Sequence, residues 1–198
     1  MVRSRPATME TTMLRFPLGI LDTEYTADEN SRRINWKGQH KEIIQIGLLA
    51  LDHKLNVLES LRVYVRPRLN PVLSEYIKEL TGIRQTDING ADYLPGVWRR
   101  VEEYLKGRAT YSFGEDRSVI AQNFKLYEMK EPADCERIEN IRPYITQLCR
   151  EVGVDAVQYT SGTLCQAFGK KGERAHDALN DMKNLRLVLM ELRSRGLL

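Results

Sequence analysis

Two carboxylates two residues apart, Asp22 and Glu24, end an otherwise apolar run, LGILDTEYT. Side chains at i and i+2 of an extended strand point to the same face. The pair therefore stands together at a strand end, where two like charges repel and resist desolvation. A hard divalent cation is the usual offset, because Mg²⁺ or Mn²⁺ takes oxygen ligands and keeps waters that a phosphate can replace. For a D-x-E by itself, a solvated strand end is the plain alternative. Two later segments add to the pair: Asp116, just beyond ATYSFG, and AHDALND, with His176 at a helix entry and Asp181 in its early turns. Five residues on a helix rotate by about 140°. His176 thus belongs to the loop or first turn, folding over the site, while Asp181 faces the sheet and Asp177 serves as an N-cap or first-turn acid.

The elements that must position these residues follow from pattern. Strands are expected over Leu18 to Thr26, Glu42 to Asp52 and Leu55 to Pro67, the last two joined by His53-Lys54, which suggests an antiparallel meander. The pattern then turns helical. Asn70-Pro71 is a start signal and Gly82 a stop, and Asp92 to Lys106 carries Leu94, Val97, Val101, Tyr104 and Leu105 on one face. ATYSFG is a short strand, Ser118 to Met129 a helix, RIENIRP a further strand, and Tyr144 to Val152 a helix. A short helix at Thr163 to Phe168 and a closing helix at Asp177 to Arg193 complete the order. Hairpins first and crossover helices later make a mixed α/β sheet, whose ligands sit at strand ends.

The 198 residues, 42% hydrophobic, suffice for one sizeable core. Residues 1–13 are expected to be a loose extension and 14–198 one domain. No uncharged apolar run reaches the roughly 18 residues a membrane span needs. Cys135, Cys149 and Cys165 have no C-x-x-C spacing, which argues against a zinc site or disulfide framework and fits a reducing cytoplasm. Thirty Lys and Arg against 27 Asp and Glu leave +3, a total that neither demands nor excludes a nucleic-acid partner.

Asp22-x-Glu24, then Asp116 after a strand, then His176-x-x-x-x-Asp181 resembles the DEDDh class of 3′-to-5′ exonucleases, the superfamily of ribonuclease T and the epsilon subunit of DNA polymerase III. EIIQIGLLALD is similar to that family's second strand, PVLSEYIKELTGI to its segment ending in LTGI, and YTSGTLCQAFG to the segment before its last motif. The likeness runs from about Phe16 to Leu192, nearest to stand-alone 3′ exoribonuclease-like members. It implies a ribonuclease-H-like fold: a mixed sheet, antiparallel meander then parallel strands, flanked by helices. It also implies two Mg²⁺ or Mn²⁺ ions on Asp22, Glu24, Asp116 and Asp181, with His176 as general base, an assignment suited to an imidazole neutral near pH 7. The substrate would be RNA or single-stranded DNA with a free 3′ end, shortened by nucleoside 5′-monophosphates. Thr23, Leu80 and Thr81 would border the terminal nucleotide.

Two departures stand out. Glu115 occupies a place where the family usually has an aromatic or small residue, and is an alternative ligand if the register slips. Gln45 stands where an acid is frequent. From the residues themselves, Lys170, Lys171 and Arg174 precede His176 closely enough to meet phosphates. Arg62, Arg66 and Arg68, and Arg99 with Arg100, read as solvated faces; Tyr25 and Trp36 are candidates for base stacking. Two other readings stay open: a non-catalytic nucleic-acid-binding module on the same fold, and a haloacid-dehalogenase-like phosphatase. The phosphatase reading rests on D-x-E-x-T, which lacks the second Asp of D-x-D-x-T.

Overall fold

The computed structural model describes residues 14–27 and 40–198. The expected extension over residues 1–13, Trp36 and most of the polar loop after Thr26 lie outside the described residues. Strands β1 (Leu18–Tyr25), β2 (Ile43–Leu51), β3 (Val57–Tyr64), β4 (Ala109–Ser112) and β5 (Ile138–Asn140) form one sheet in the order β3-β2-β1-β4-β5. The β1/β2 and β2/β3 pairs are antiparallel, and β1/β4 and β4/β5 parallel. This is the expected meander followed by parallel strands. Every residue of β2 is buried, so its near-continuous apolar run reads as a strand covered on both faces.

Helices α1 (Glu75–Thr81), α2 (Gln85–Asn89), α3 (Leu94–Leu105), α4 (Asp116–Leu126), α5 (Arg142–Glu151) and α6 (Ala178–Ser194) complete the chain, with 3-10 turns at Cys135–Arg137 and Leu164–Phe168. One core joins Leu18 and Ile20 of β1 to α5 and α6; a second, on the other sheet face, joins Leu21 to α3 and α4. The side-chain alternation of β1 therefore sends Ile20, Asp22 and Glu24 toward α6, and Leu21 and Thr23 toward α4.

Two expectations need correction. The helix signalled at Asn70-Pro71 begins instead after Ser74, whose Oγ accepts the Ile77 N–H at 3.2 Å. Residues 68–70 are held elsewhere: the fully buried Glu42 carboxylate accepts the backbone N–H groups of Arg68, Leu69 and Asn70 and the Tyr127 hydroxyl. Helix α4 begins at Asp116 rather than Ser118, which makes Asp116 a first-turn residue, favoured there by the helix dipole. Helix α2 was absent from the sequence expectation. Its start is held by Arg84 and Asp87 rather than by a Ser, Thr or Asn cap.

The placement of α6 depends on β2. A Cβ at Gly47 would lie 2.2 Å from the Ala178 carbonyl carbon, so only glycine lets the helix entry rest on the strand. Gln45, fully buried, accepts the Ala178 N–H at 2.7 Å and donates to Asp177 at 3.1 Å. Asp177 caps α6, accepting the Asn180 N–H at 3.0 Å, as its position suggested, and pairs with Arg62 at 2.7 Å. Among the described residues no helix is long and apolar enough to cross a membrane. All three cysteines are buried and free.

Candidate active site

At the end of β1, a cleft of about 400 Å³ is lined by Asp22, Thr23, Glu24, Tyr25, Leu80, Asp116, Ser161, His176 and Asp181, among others. Carboxylate oxygens of Asp22, Glu24 and Asp181 lie within 4.8 Å of one another. Alternation on β1 supplies the first two, and the first turn of α6 supplies the third. Asp116 approaches from the α4 side. Its Oδ1 accepts both the Thr23 backbone N–H, at 3.0 Å, and the Thr23 hydroxyl, at 2.8 Å. Thr23 is thus the clasp between β1 and the fourth acid.

His176 precedes the Asp177 cap, outside the helix, and lines the same cleft. Its backbone sits at φ 63°, a left-handed conformation uncommon for a non-glycine residue. The backbone N–H donates to Asp181 Oδ1 at 3.1 Å, which ties the strained turn to the acid cluster.

The electrostatics match a cation site. Burial, then the charges of Asp116, Asp181 and Glu24, pushes the Asp22 carboxyl well above the usual range. Burial and the charges of Asp181, Asp177 and Asp116 push Glu24 up to about 8. Burial pushes Asp181 up to about 7 against the His176 N–H, which pulls the other way. Asp116 is raised by burial, with the Thr23 bonds opposing. Among the described residues, no lysine or arginine forms an ion pair with any of the four. Oxygen donors clustered and buried in this way suit a hard divalent ion.

The other predicted residues fall into place unevenly. Leu80 lines the cleft. Thr81 is buried, its hydroxyl donating to Ile77 O at 2.8 Å and accepting from the Ile83 N–H at 3.1 Å. Lys171 is exposed, while Lys170 pairs with Glu191 at 2.9 Å. Arg174 donates to Glu79 O at 2.9 Å, at the end of α1. Glu115 is exposed, lines the cleft and accepts from Asn140 at 3.4 Å, whereas Asp116 is held by Thr23 and its charge acts on Asp22. Tyr25 lines the cleft with Lys41, whose Nζ is 4.9 Å from the ring centre.

Sequence reasoning missed Ser161 and Gly162. Ser161 Oγ donates to Asp22 Oδ1 at 3.3 Å. A Cβ at Gly162 would lie 2.3 Å from Asp181 Oδ1, so the carboxylate packs on a bare Cα. The available signal was the Ser-Gly pair inside a turn-rich stretch, YTSGT, which pattern reading treats as punctuation.

A mixed sheet of this order, carrying four acids and a histidine at the end of its central strand, defines the ribonuclease-H-like nuclease architecture. The exonuclease family of ribonuclease T type matches residues 20–189, and the chain belongs to that family. It is 28% identical over 189 residues to 3′-5′ exoribonuclease 1 of Mus musculus, covering 89% of this chain and 53% of that protein. To 3′-5′ exonuclease crn-4 of Caenorhabditis elegans it is 27% identical over 197 residues, covering 89% of this chain and 63% of that one. The chain thus spans about half the length of the first relative and somewhat less than two thirds of the second. In structure it is similar to cell-death related nuclease 4, with TM-score 0.77 and 25% identity over 90% of this chain and 64% of that chain. The nuclease domain of 3′hExo, a DEDDh family member bound to rAMP, shares the fold, with TM-score 0.77 at 24% identity over 90% and 92% of the two chains.

Proposed function

We propose that the protein is a metal-dependent 3′-to-5′ exonuclease that removes nucleoside 5′-monophosphates from single-stranded RNA or DNA with a free 3′ end. One observation carries the reading: three carboxylates within 4.8 Å of one another, raised by burial and mutual repulsion, share a cleft with His176. Asp22, Glu24, Asp116 and Asp181 would hold two ions, Mg²⁺ or Mn²⁺. Bound there, the ions would supply the positive charge that makes water a nucleophile at neutral pH and steadies the leaving oxygen. His176 takes the proton from the attacking water, its backbone pinned to Asp181 so that the ring stays over the cleft. Thr23 orients Asp116, and Leu80 offers an apolar wall to the terminal nucleotide. Lys171 supplies charge for an upstream phosphate. Arg174 reaches the end of α1 and borders that same path. We place the exonuclease domain at residues 14–198 and, from the three free thiols, the protein in the cytoplasm.

The test is a time course on 5′-labelled single-stranded RNA and DNA with free and blocked 3′ ends, in Mg²⁺ and in EDTA. Stepwise shortening from free 3′ ends, dependent on the cation and abolished by Asp22→Ala, is expected. Intact oligonucleotides in Mg²⁺ and in Mn²⁺ would overturn the reading.

A further inference from the structure

The buried stripe of α6 is apolar except for Asp181 and Asn184, one turn apart. Asp181 belongs to the cleft; Asn184 does not reach it, and its side chain is fully buried. An amide in such a stripe is costly unless its donors and acceptor are used. All are used here. Asn184 Oδ1 accepts the Glu173 N–H at 2.7 Å, and Nδ2 donates to Glu173 O at 3.0 Å and to Gly162 O at 2.8 Å.

The partners are the two irregular segments that close on the acids. Gly162 packs its Cα against the Asp181 carboxylate, and its neighbour Ser161 bonds Asp22. Glu173 lies three residues before His176. The loop is also pressed onto the amide: a Cβ at Gly172 would stand 2.5 Å from Asn184 Oδ1 and 2.8 Å from Cys165 Sγ. We propose that Asn184 is a positioning residue, one side chain that fixes both the turn seating the carboxylates and the loop carrying His176. The proposal rests on the exonuclease reading of the cleft.

Backbone groups shielded from water outside helix and sheet must find partners, and here one amide meets the buried Gly162 carbonyl and the partly buried N–H and C=O of Glu173. Leucine at 184 would fill similar volume and leave those three groups unsatisfied. The helix would persist while both segments loosen.

Asn184→Leu therefore separates positioning from folding. Three readouts apply: hydrogen exchange, Mn²⁺ binding by calorimetry without nucleic acid, and steady-state cleavage. Exchange should quicken about tenfold or more at residues 160–163 and 170–176 and stay unchanged in β1 and β2. Mn²⁺ affinity should fall about tenfold, in the range set by partners that orient ligands. On cleavage, kcat should fall about 10- to 100-fold with KM within about threefold. A folded Asn184→Leu protein with wild-type exchange in both segments and wild-type Mn²⁺ affinity would overturn the proposal. If that variant does not fold, Gly172→Ala decides: it keeps every polar group but displaces the loop. Faster exchange at 170–176 with lowered kcat is expected, and unchanged exchange there would overturn the proposal. Should the wild-type protein cleave no oligonucleotide, the exonuclease reading fails by itself, while exchange and Mn²⁺ binding still decide the role of Asn184.

Discussion

Glu42 and Glu24 are glutamates at the same end of two paired strands, yet their carboxyls move in opposite directions. Burial alone would raise Glu42, but donors outweigh it: the Leu69 backbone, the Tyr127 hydroxyl, and the Arg68 and Asn70 backbones hold it below the usual range. Burial also dominates Glu24, and there the neighbours are Asp181, Asp177 and Asp116, so it rises to about 8. One acid is surrounded by N–H groups that fix a loop; the other is surrounded by acids. A buried carboxylate whose donors outweigh its burial is architecture, while clustered carboxylates whose few donors do not offset burial and mutual repulsion suit a cation.

Exchanging oxygen for amide at each position breaks the comparison most strongly. Glu24→Gln removes a proposed metal ligand and a repulsion together. We expect cleavage to fall by about 10³-fold or more, with Tm in EDTA unchanged or higher. Glu42→Gln turns an amide toward backbone donors and leaves them unsatisfied. A loss of about 2–4 kcal/mol is expected, lowering Tm by roughly 5–10 °C, with activity per folded molecule within about twofold of wild type. Differential scanning calorimetry and oligonucleotide cleavage on both variants check the contrast; equal activity losses would dissolve it.

His176→Ala comes next. With His176 as the proposed general base, its removal should slow turnover by about 10²-fold, while Mn²⁺ affinity measured by calorimetry falls by less than about threefold. Equal losses in both would contradict the base role and make His176 a support for the cluster.

This contrast also marks what the sequence could reveal. Strand parity placed Asp22 and Glu24 together, and the rotation between His176 and Asp181 required the histidine to lie outside the helix; both are local rules, and both hold. Asp177 as the cap followed from the same logic. Glu42 was invisible as a structural acid because its partners, residues 68–70 and Tyr127, lie 26 to 85 positions away. The same distance effect misled the helix start at Asn70, whose backbone is claimed by Glu42. Ser161, Gly162 and Asn184 were missed because their importance comes from packing between segments joined only in the folded chain.

Without metal, the two kinds of acid also give opposite pH slopes. Glu24 at about 8 and Asp181 at about 7 lie above their usual 4.5 and 3.8. The folded state keeps protons that the unfolded chain releases, so their stabilisation is complete below pH 4 or so and is lost as pH rises toward 8. Glu42, held low, stabilises above its usual 4.5 and loses that contribution only as pH falls through its lowered value. In EDTA, Tm should therefore drop by about 5 °C between pH 5.5 and 8.5. Excess Mn²⁺ should remove that drop, and Glu24→Gln should flatten it. A Tm in EDTA that rises over this interval would show that the cluster is not short of positive charge.

The smallest effect expected is at Ser161, a neutral donor to Asp22. Its bond to Asp22 is 3.3 Å long, between a hydroxyl and a carboxylate that a cation would also claim. The hydroxyl orients Asp22 but cannot neutralise it. Ser161→Ala should raise the Mn²⁺ dissociation constant by about threefold, in line with a hydrogen bond of about 0.5–1.5 kcal/mol. Tm should stay within about 1 °C, because Ala is accepted in a turn whose backbone is held through Gly162 by Asn184. Calorimetric titration of Mn²⁺ into both proteins reads the difference. A loss as large as that of Glu24→Gln would mean that the hydroxyl shares the charge-carrying role of the acids; no loss would mean that packing on Gly162 suffices to aim them.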